Sequence, residues 1–100
     1  MAFTGTPAQT KIANAHHIIK DVTLAAGASG TIGNDGGAGE VSLPAGANTI
    51  DANWEVIVMG DELCRTSITG AVVTITNGDG SNASESLVIH LIDPFFRTGK

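Results

Sequence analysis

The sequence is poor in cysteine, aromatic residues and positive charge, and each shortage argues against a class of protein. The single Cys64 excludes an intrachain disulfide, so the 100 residues must be held together by their core. Four aromatic residues and no tyrosine leave Val, Ile, Leu and Ala to fill that core, which suits thin sheets better than a cofactor pocket. Five Lys and Arg, scattered among ten Asp and Glu, argue against nucleic acid as a partner, because phosphate binding needs clustered positive charge.

Long apolar runs and targeting signals are also missing. No segment approaches the ~18 consecutive apolar residues that a membrane-spanning helix requires. No charged region followed by an apolar stretch precedes "TKIANA", so we expect no signal peptide. The composition, 42% hydrophobic and 15% charged, is that of a globular chain, and its length favours one domain over residues 1–100.

Short runs of apolar and β-branched residues predict an all-β fold. The predicted strands cover residues 17–24, 54–59, 71–76 and 86–92, with shorter candidates at 29–33 and 40–43. Gly-, Ala- and Asn-rich connections separate them at the spacing of an antiparallel β-sandwich. We therefore predict six to eight strands in a sandwich of immunoglobulin-like or jelly-roll type.

The two ends of the chain are predicted to be arms. Residues 1–15 form either an extended N-terminal arm or a short helix, for which Thr6, Pro7 and Gln9 supply capping chemistry. Residues 93–100 form a C-terminal arm, because Pro94 ends the last strand.

Two of the predicted strands carry apolar residues on both of their sides. In the last strand, Val88 and Ile92 lie on the side opposite Leu87, Ile89 and Leu91. In the strand over residues 54–59, Ile57 and Met59 lie on the side opposite Trp54, Val56 and Val58. Part of the outer surface is therefore predicted to be apolar, covered by the arms or by another subunit. A central strand beneath a long loop gives the same pattern, so both interpretations stay open.

The polar tract "NGDGSNASE" (77–85) separates the last two of these runs. Asn77, Asp79 and Ser81 alternate as in a calcium loop, but Asn82 stands where that loop needs Gly and Val88 where it needs Glu. Asn82 also begins a glycosylation sequon, which has no consequence without export. Asn-Gly is turn chemistry, so the tract is predicted to be a solvent-facing hairpin tip.

Candidate chemistry is sparse. His16 and His17 point to opposite sides of a strand, and His90 could meet one of them. With Asp93 such a pair could bind zinc, although surface or hydrogen-bonded histidines are the favoured interpretation.

No catalytic set is predicted either. Cys64 could act as a nucleophile beside a His and an Asp, but nothing in the sequence brings these groups together. The Gly-rich segment 34–40 lacks the Lys-Ser/Thr of a phosphate loop. We predict no enzyme activity, no cofactor and no metal.

Aromatic residues cluster near the chain ends. Phe3 lies in a segment with few other apolar residues, and Phe95 and Phe96 follow Pro94 and precede Arg97. Aromatics beside a cation suit an anchor in a neighbour's groove, so Phe3, Phe95, Phe96 and Arg97 are predicted to form a protein interface. The alternative is that the Phe pair caps the chain's own core.

The segments "KDVTLAAGASGTIG" (20–33) and "HLIDPFFRTGK" (90–100), in a short acidic β chain rich in Gly, Ala, Thr and Val, carry a resemblance. The chain resembles the small virion proteins of tailed bacteriophages, and among them the capsid decoration, or cement, proteins. The resemblance implies a non-enzymatic subunit, often a symmetric homo-oligomer, that binds the major capsid protein and reinforces the shell of the virion. A tail or head–tail connector component is left open.

A carbohydrate- or surface-binding β module is the alternative function, with Trp54 as a stacking platform. That role needs an exposed indole. The alternation in "WEVIVM" places Trp54 on the same side as Val56 and Val58, which favours burial.

Overall fold

The computed structural model describes residues 2–94, and all of their regular structure is β. Nine strands form: β1 Phe3–Thr4, β2 Ala8–Ile12, β3 His16–Leu24, β4 Ser29–Gly33, β5 Val41–Ser42, β6 Glu55–Met59, β7 Cys64–Thr69, β8 Val72–Asn77 and β9 Leu87–Ile92. The all-β prediction is confirmed, and each predicted strand has a counterpart. Strands β1, β2 and β7 were not predicted, and the described residues form nine strands where six to eight were expected.

The strands build two sheets. The first has the order β1-β3-β9-β6, with β2 pairing on the same edge of β3 as β1, and the second has the order β5-β4-β8-β7. The pairings are antiparallel except that of β4 with β5. This parallel pair departs from the predicted antiparallel sheet. The Gly-rich segment 34–40 folds the chain back, and Gly39, at a φ of 151°, packs against Gly33 where a side chain would collide.

One hydrophobic core lies between the sheets. Alternate residues of β9 (Leu87, Ile89 and Leu91) are fully buried, as are Val73 and Ile75 of β8 in the facing sheet. Each such side chain contributes about 1.5–3 kcal/mol by leaving water. The period of two along each strand therefore explains the sandwich-like arrangement, and its immunoglobulin-like or jelly-roll subtype stays a prediction.

The prediction that Phe3 lies in an arm and contacts a neighbouring protein is wrong. Its side chain is 2% exposed and belongs to the chain's own core, so the ring is not available as an anchor for a neighbour. Phe3 pairs with Leu24 through β1, and its ring fills the space that a side chain at Gly30 would occupy. The sequence around Phe3 offers few apolar residues, but β3 and β4 supply the missing contacts.

The rest of the predicted arm is also paired. Strand β2 runs along β3 where a short helix was the alternative, although all five of its residues are exposed. Asp21 separates the parts of β3 that pair with β1 and β2, at a φ of 65° and a break in register with β9 that mark a β-bulge. Phe95, Phe96 and Arg97 lie outside the described residues, so their interface role stays a prediction.

Replacing Gly30 by alanine should destabilise the fold, because the added methyl would meet the Phe3 ring. We expect a loss of about 1–3 kcal/mol in the free energy of unfolding, typical of overpacking a filled core. Gly80→Ala is the matched control, since nothing lies within 4 Å of a methyl there. Thermal denaturation of both variants checks the prediction, and equal midpoints would contradict it.

Candidate docking face

The outward side of the first sheet is a continuous surface defined by strand register. Directly paired residues share a side of a sheet, so the pairings of β2, β3, β9 and β6 place twelve side chains together. We call this surface the apolar face. Its members form three rows across the strands: Ile12, His16, Ile92 and Glu55; Thr10, Ile18, His90 and Ile57; Ala8, Lys20, Val88 and Met59.

Large apolar side chains stand in solvent on this face. Ile12 and Ile57 are each 48% exposed and Met59 is 54% exposed. Among the described residues only one other large hydrophobic side chain is as exposed, Leu63 at 47%. A patch of this kind on an isolated chain is typical of a surface that another protein covers. The sequence prediction that the outer side of these strands is apolar is confirmed.

Charge is nearly absent from the apolar face. The chain carries ten acidic residues, yet Glu55 is the one acidic residue in the three rows, at their edge. Lys20 is the one lysine or arginine among them. Covering this face would therefore remove few charges from water, which keeps the desolvation cost of docking low.

The outward side of the second sheet has the opposite character. Its three rows, which we call the hydroxyl face, contain six Ser and Thr residues and a single large apolar side chain: Ser29, Thr76 and Arg65; Thr31, Thr74 and Ser67; Gly33, Val72 and Thr69. Ser29 and Thr76 share a hydrogen bond of 2.7 Å between their hydroxyl groups. One outward side of the domain is thus polar and the other is apolar.

Two histidines meet on the two central strands of the apolar face. His16 Nε2 lies 3.2 Å from His90 Nδ1, and the ring centroids are 5.5 Å apart. The sequence prediction that His90 could meet one of the two N-terminal histidines is confirmed for His16. Both residues are half-buried on this face.

His17 points the other way, as the alternation of β3 requires. It is 1% exposed and stacks on Trp54 at 6.2 Å between ring centroids, with the planes 2° apart. Burial lowers the pKa of His17, although a hydrogen bond to the Asn14 carbonyl partly opposes this effect. This histidine is a core residue.

The zinc set of two histidines and Asp93, which the sequence allowed but did not favour, does not assemble. Asp93 is buried and accepts a hydrogen bond of 2.9 Å from Asn48, away from the outward-facing pair. Within residues 2–94, no group of three or more His, Cys, Asp or Glu side chains is placed to hold a metal ion. A self-contained metal centre is therefore not formed by the part of the chain that is described.

The structure supports neither the carbohydrate-binding site at Trp54 nor the nucleophile site at Cys64. Trp54 is 5% exposed, so its indole is not a platform for a sugar ring. Cys64 lies on β7 of the second sheet, whereas His90 lies on the outward side of the first. Burial raises the pKa of the Cys64 thiol, and Asp61 adds to this effect, which disfavours a thiolate nucleophile.

The 77–85 tract is not a hairpin tip, which corrects the prediction. It leaves β8 in the second sheet and leads to β9 in the first, so it crosses between the sheets. Asn77 is fully buried and donates to the carbonyls of Leu24 and Ala25, while the Ser84 hydroxyl accepts from the Leu24 N–H. Side chains in the tract therefore tie the crossover to the end of β3.

Asp79 shapes the tip of this crossover. Its carboxylate accepts hydrogen bonds from the backbone N–H groups of Ser81 and Asn82, which lower the pKa of Asp79. Both of these bonds go to the same carboxylate oxygen, Oδ1. The carboxylate acts as a turn-forming group.

Comparison with known proteins places the chain in no family. No protein-family model matches it, and neither a curated protein nor a solved structure gives a significant match. In residues 2–94 there is also no helix with the length and apolar character needed to cross a membrane.

Proposed function

We propose that this chain is a non-enzymatic structural subunit of a viral particle, of the capsid decoration type, and that it docks on the shell through its apolar face. The observation that carries the proposal is the contrast between the two outward surfaces. Ile57 and Met59 stand in solvent on the edge strand β6 of one sheet, whereas Arg65, Ser67 and Thr69 line the outward side of the edge strand β7 of the other. A subunit that covers a shell needs one surface for the shell and one for water.

The size of the apolar face indicates how the docking surface is completed. Four strands about 4.8 Å apart, each about five residues long at 3.3 Å per residue, have a flat footprint of roughly 300 Å². Standard protein interfaces bury about 800 Å² on each partner. Neighbouring segments must therefore contribute, and residues 95–100 follow β9, a central strand of this face. Their aromatic pair, Phe95 and Phe96, is proposed to add to the contact together with Arg97.

Reconstitution of particles tests the function. Particles of the producing virus assembled without this chain should break at a lower temperature, and added purified chain should restore their stability, because bridging neighbouring shell subunits adds buried area. Dye access to the packaged DNA during heating measures the breakage. Equal breakage temperatures with and without bound chain would rule out cementing. Labelling by electron microscopy separates a shell location from a tail or connector location.

A further inference from the structure

The His16–His90 pair brings two imidazole nitrogens together on the outward side of the first sheet. Docking on a shell does not require this arrangement. The two rings come from adjacent strands, β3 and β9, each of which is flanked by another strand on its far side. Their facing nitrogens, His16 Nε2 and His90 Nδ1, are 3.2 Å apart. Strands hold side chains more precisely than loops do, so this separation is set by the sheet.

We propose that His16 and His90 form a two-ligand site for a divalent transition-metal ion of the kind that prefers imidazole, such as Zn²⁺. Two Zn–N bonds of about 2.0–2.1 Å at a tetrahedral angle place their nitrogens about 3.3–3.4 Å apart. The 3.2 Å between the two facing nitrogens is close to that bite. Each ring must turn so that its lone pair points at the ion and not at the other nitrogen. Imidazole nitrogen is a preferred donor for zinc, copper and nickel.

Metal binding requires one proton to move. When neutral rings share a hydrogen bond, one of the two facing nitrogens carries the proton and the other accepts it. Both facing nitrogens must offer lone pairs to an ion, so the proton shifts to the far nitrogen of its own ring. Neither ring then carries a net charge, and the site gains the full charge of the ion.

Within residues 2–94, no third His, Cys, Asp or Glu side chain is placed to join the pair, so the described part of the chain supplies two ligands. The other outward groups of the central strands are Ile18, Lys20, Val88 and Ile92, none of which is a suitable ligand. His17 is turned into the core, and Asp93 is bound to Asn48. Two coordination positions are left for water or for groups beyond the described residues. A metal ion here would sit on the two central strands of the apolar face and could accept a donor from a docked surface.

Zinc titration of the complete, untagged chain tests the site without any partner. Calorimetry should show saturable binding at neutral pH. In nuclear magnetic resonance spectra, the ring nitrogens of His16 and His90 should shift together while those of His17 stay unchanged. His16→Gln and His90→Gln should each weaken binding by at least roughly tenfold, because loss of even an outer-shell partner costs about 10- to 100-fold in metal affinity.

Cys64→Ser is the control, since a thiol is the main competing zinc ligand. This variant should bind as the original chain does. Absence of binding would show that the pair is a hydrogen bond only. Binding that survives His16→Gln, or that is lost in Cys64→Ser, would also overturn the site. None of these results bears on shell docking, which is tested on particles instead.

Discussion

Asn77→Asp should be among the most damaging single substitutions in the chain. The amide Nδ2 of Asn77 lies within 3.0–3.3 Å of three carbonyl oxygens, those of Asn82, Leu24 and Ala25, and the side chain is fully buried. A carboxylate keeps the shape but cannot donate, so its charge would face three acceptors. We expect a loss of about 3–5 kcal/mol, as for other uncompensated buried charges, seen as a large fall in the thermal midpoint.

Two comparisons make this expectation specific. Asn53→Asp applies the same change in an exposed turn, so it should leave the midpoint nearly unchanged. In the Asn77→Asp protein, burial and the facing carbonyls raise the pKa of the new carboxyl in the folded state. Its deficit should therefore shrink as the pH falls through that raised pKa, because the protonated acid can donate again. A midpoint unaffected by Asn77→Asp would show that the crossover is not held by this residue.

Ile57→Asp should abolish incorporation into particles while leaving the subunit folded. Ile57 is 48% exposed on the edge strand β6, in the same row as His90, so the free chain tolerates a charge there. Docking would bury that charge without a partner. A cost of roughly 3 kcal/mol or more corresponds to a hundredfold or greater loss of affinity. The measurement is the amount of chain that sediments with particles, alongside a thermal melt of the free chain.

Ser67→Asp is the matched control, because Ser67 occupies the corresponding middle position of the edge strand β7 on the hydroxyl face. We expect it to be incorporated normally. If Ser67→Asp blocks incorporation and Ile57→Asp does not, the subunit docks through the hydroxyl face and the assignment of the two surfaces must be reversed.

The strands that sequence predicts well are those whose burial alternates or is continuous. Strands β8 and β9 alternate buried and half-buried residues, and their sequences show the same pattern. Strand β2 is exposed along its whole length, and β7 is mostly polar, so neither carries a pattern to detect. β2 is a strand because it pairs with β3, and β7 because it pairs with β8. The residues within β2 and β7 do not indicate these pairings.

The apolar face could be predicted in outline, since alternation places Ile57 and Met59, and likewise Val88 and Ile92, on the side opposite the other apolar residues of their strands. The meeting of His90 with His16 rather than His17 depends on which side of β3 faces the core. Phe3 and the 77–85 tract were misjudged for a common reason. Each is fixed by residues far along the chain: Gly30 and Leu24 for Phe3, and Leu24 again for Asn77.

The position of β9 in the chain imposes an order on assembly. The first sheet is built from strands at both ends of the sequence, and Ile19 pairs with Ile89 across 70 intervening steps of chain. Contacts this distant form late and slowly, because a long loop must close before they stabilise anything. Val88, His90 and Ile92 complete the apolar face only when β9 has paired with β3 and β6. A ribosome-bound or partly folded chain therefore has no finished apolar face, so the proposed docking on a shell would require the whole domain to fold first.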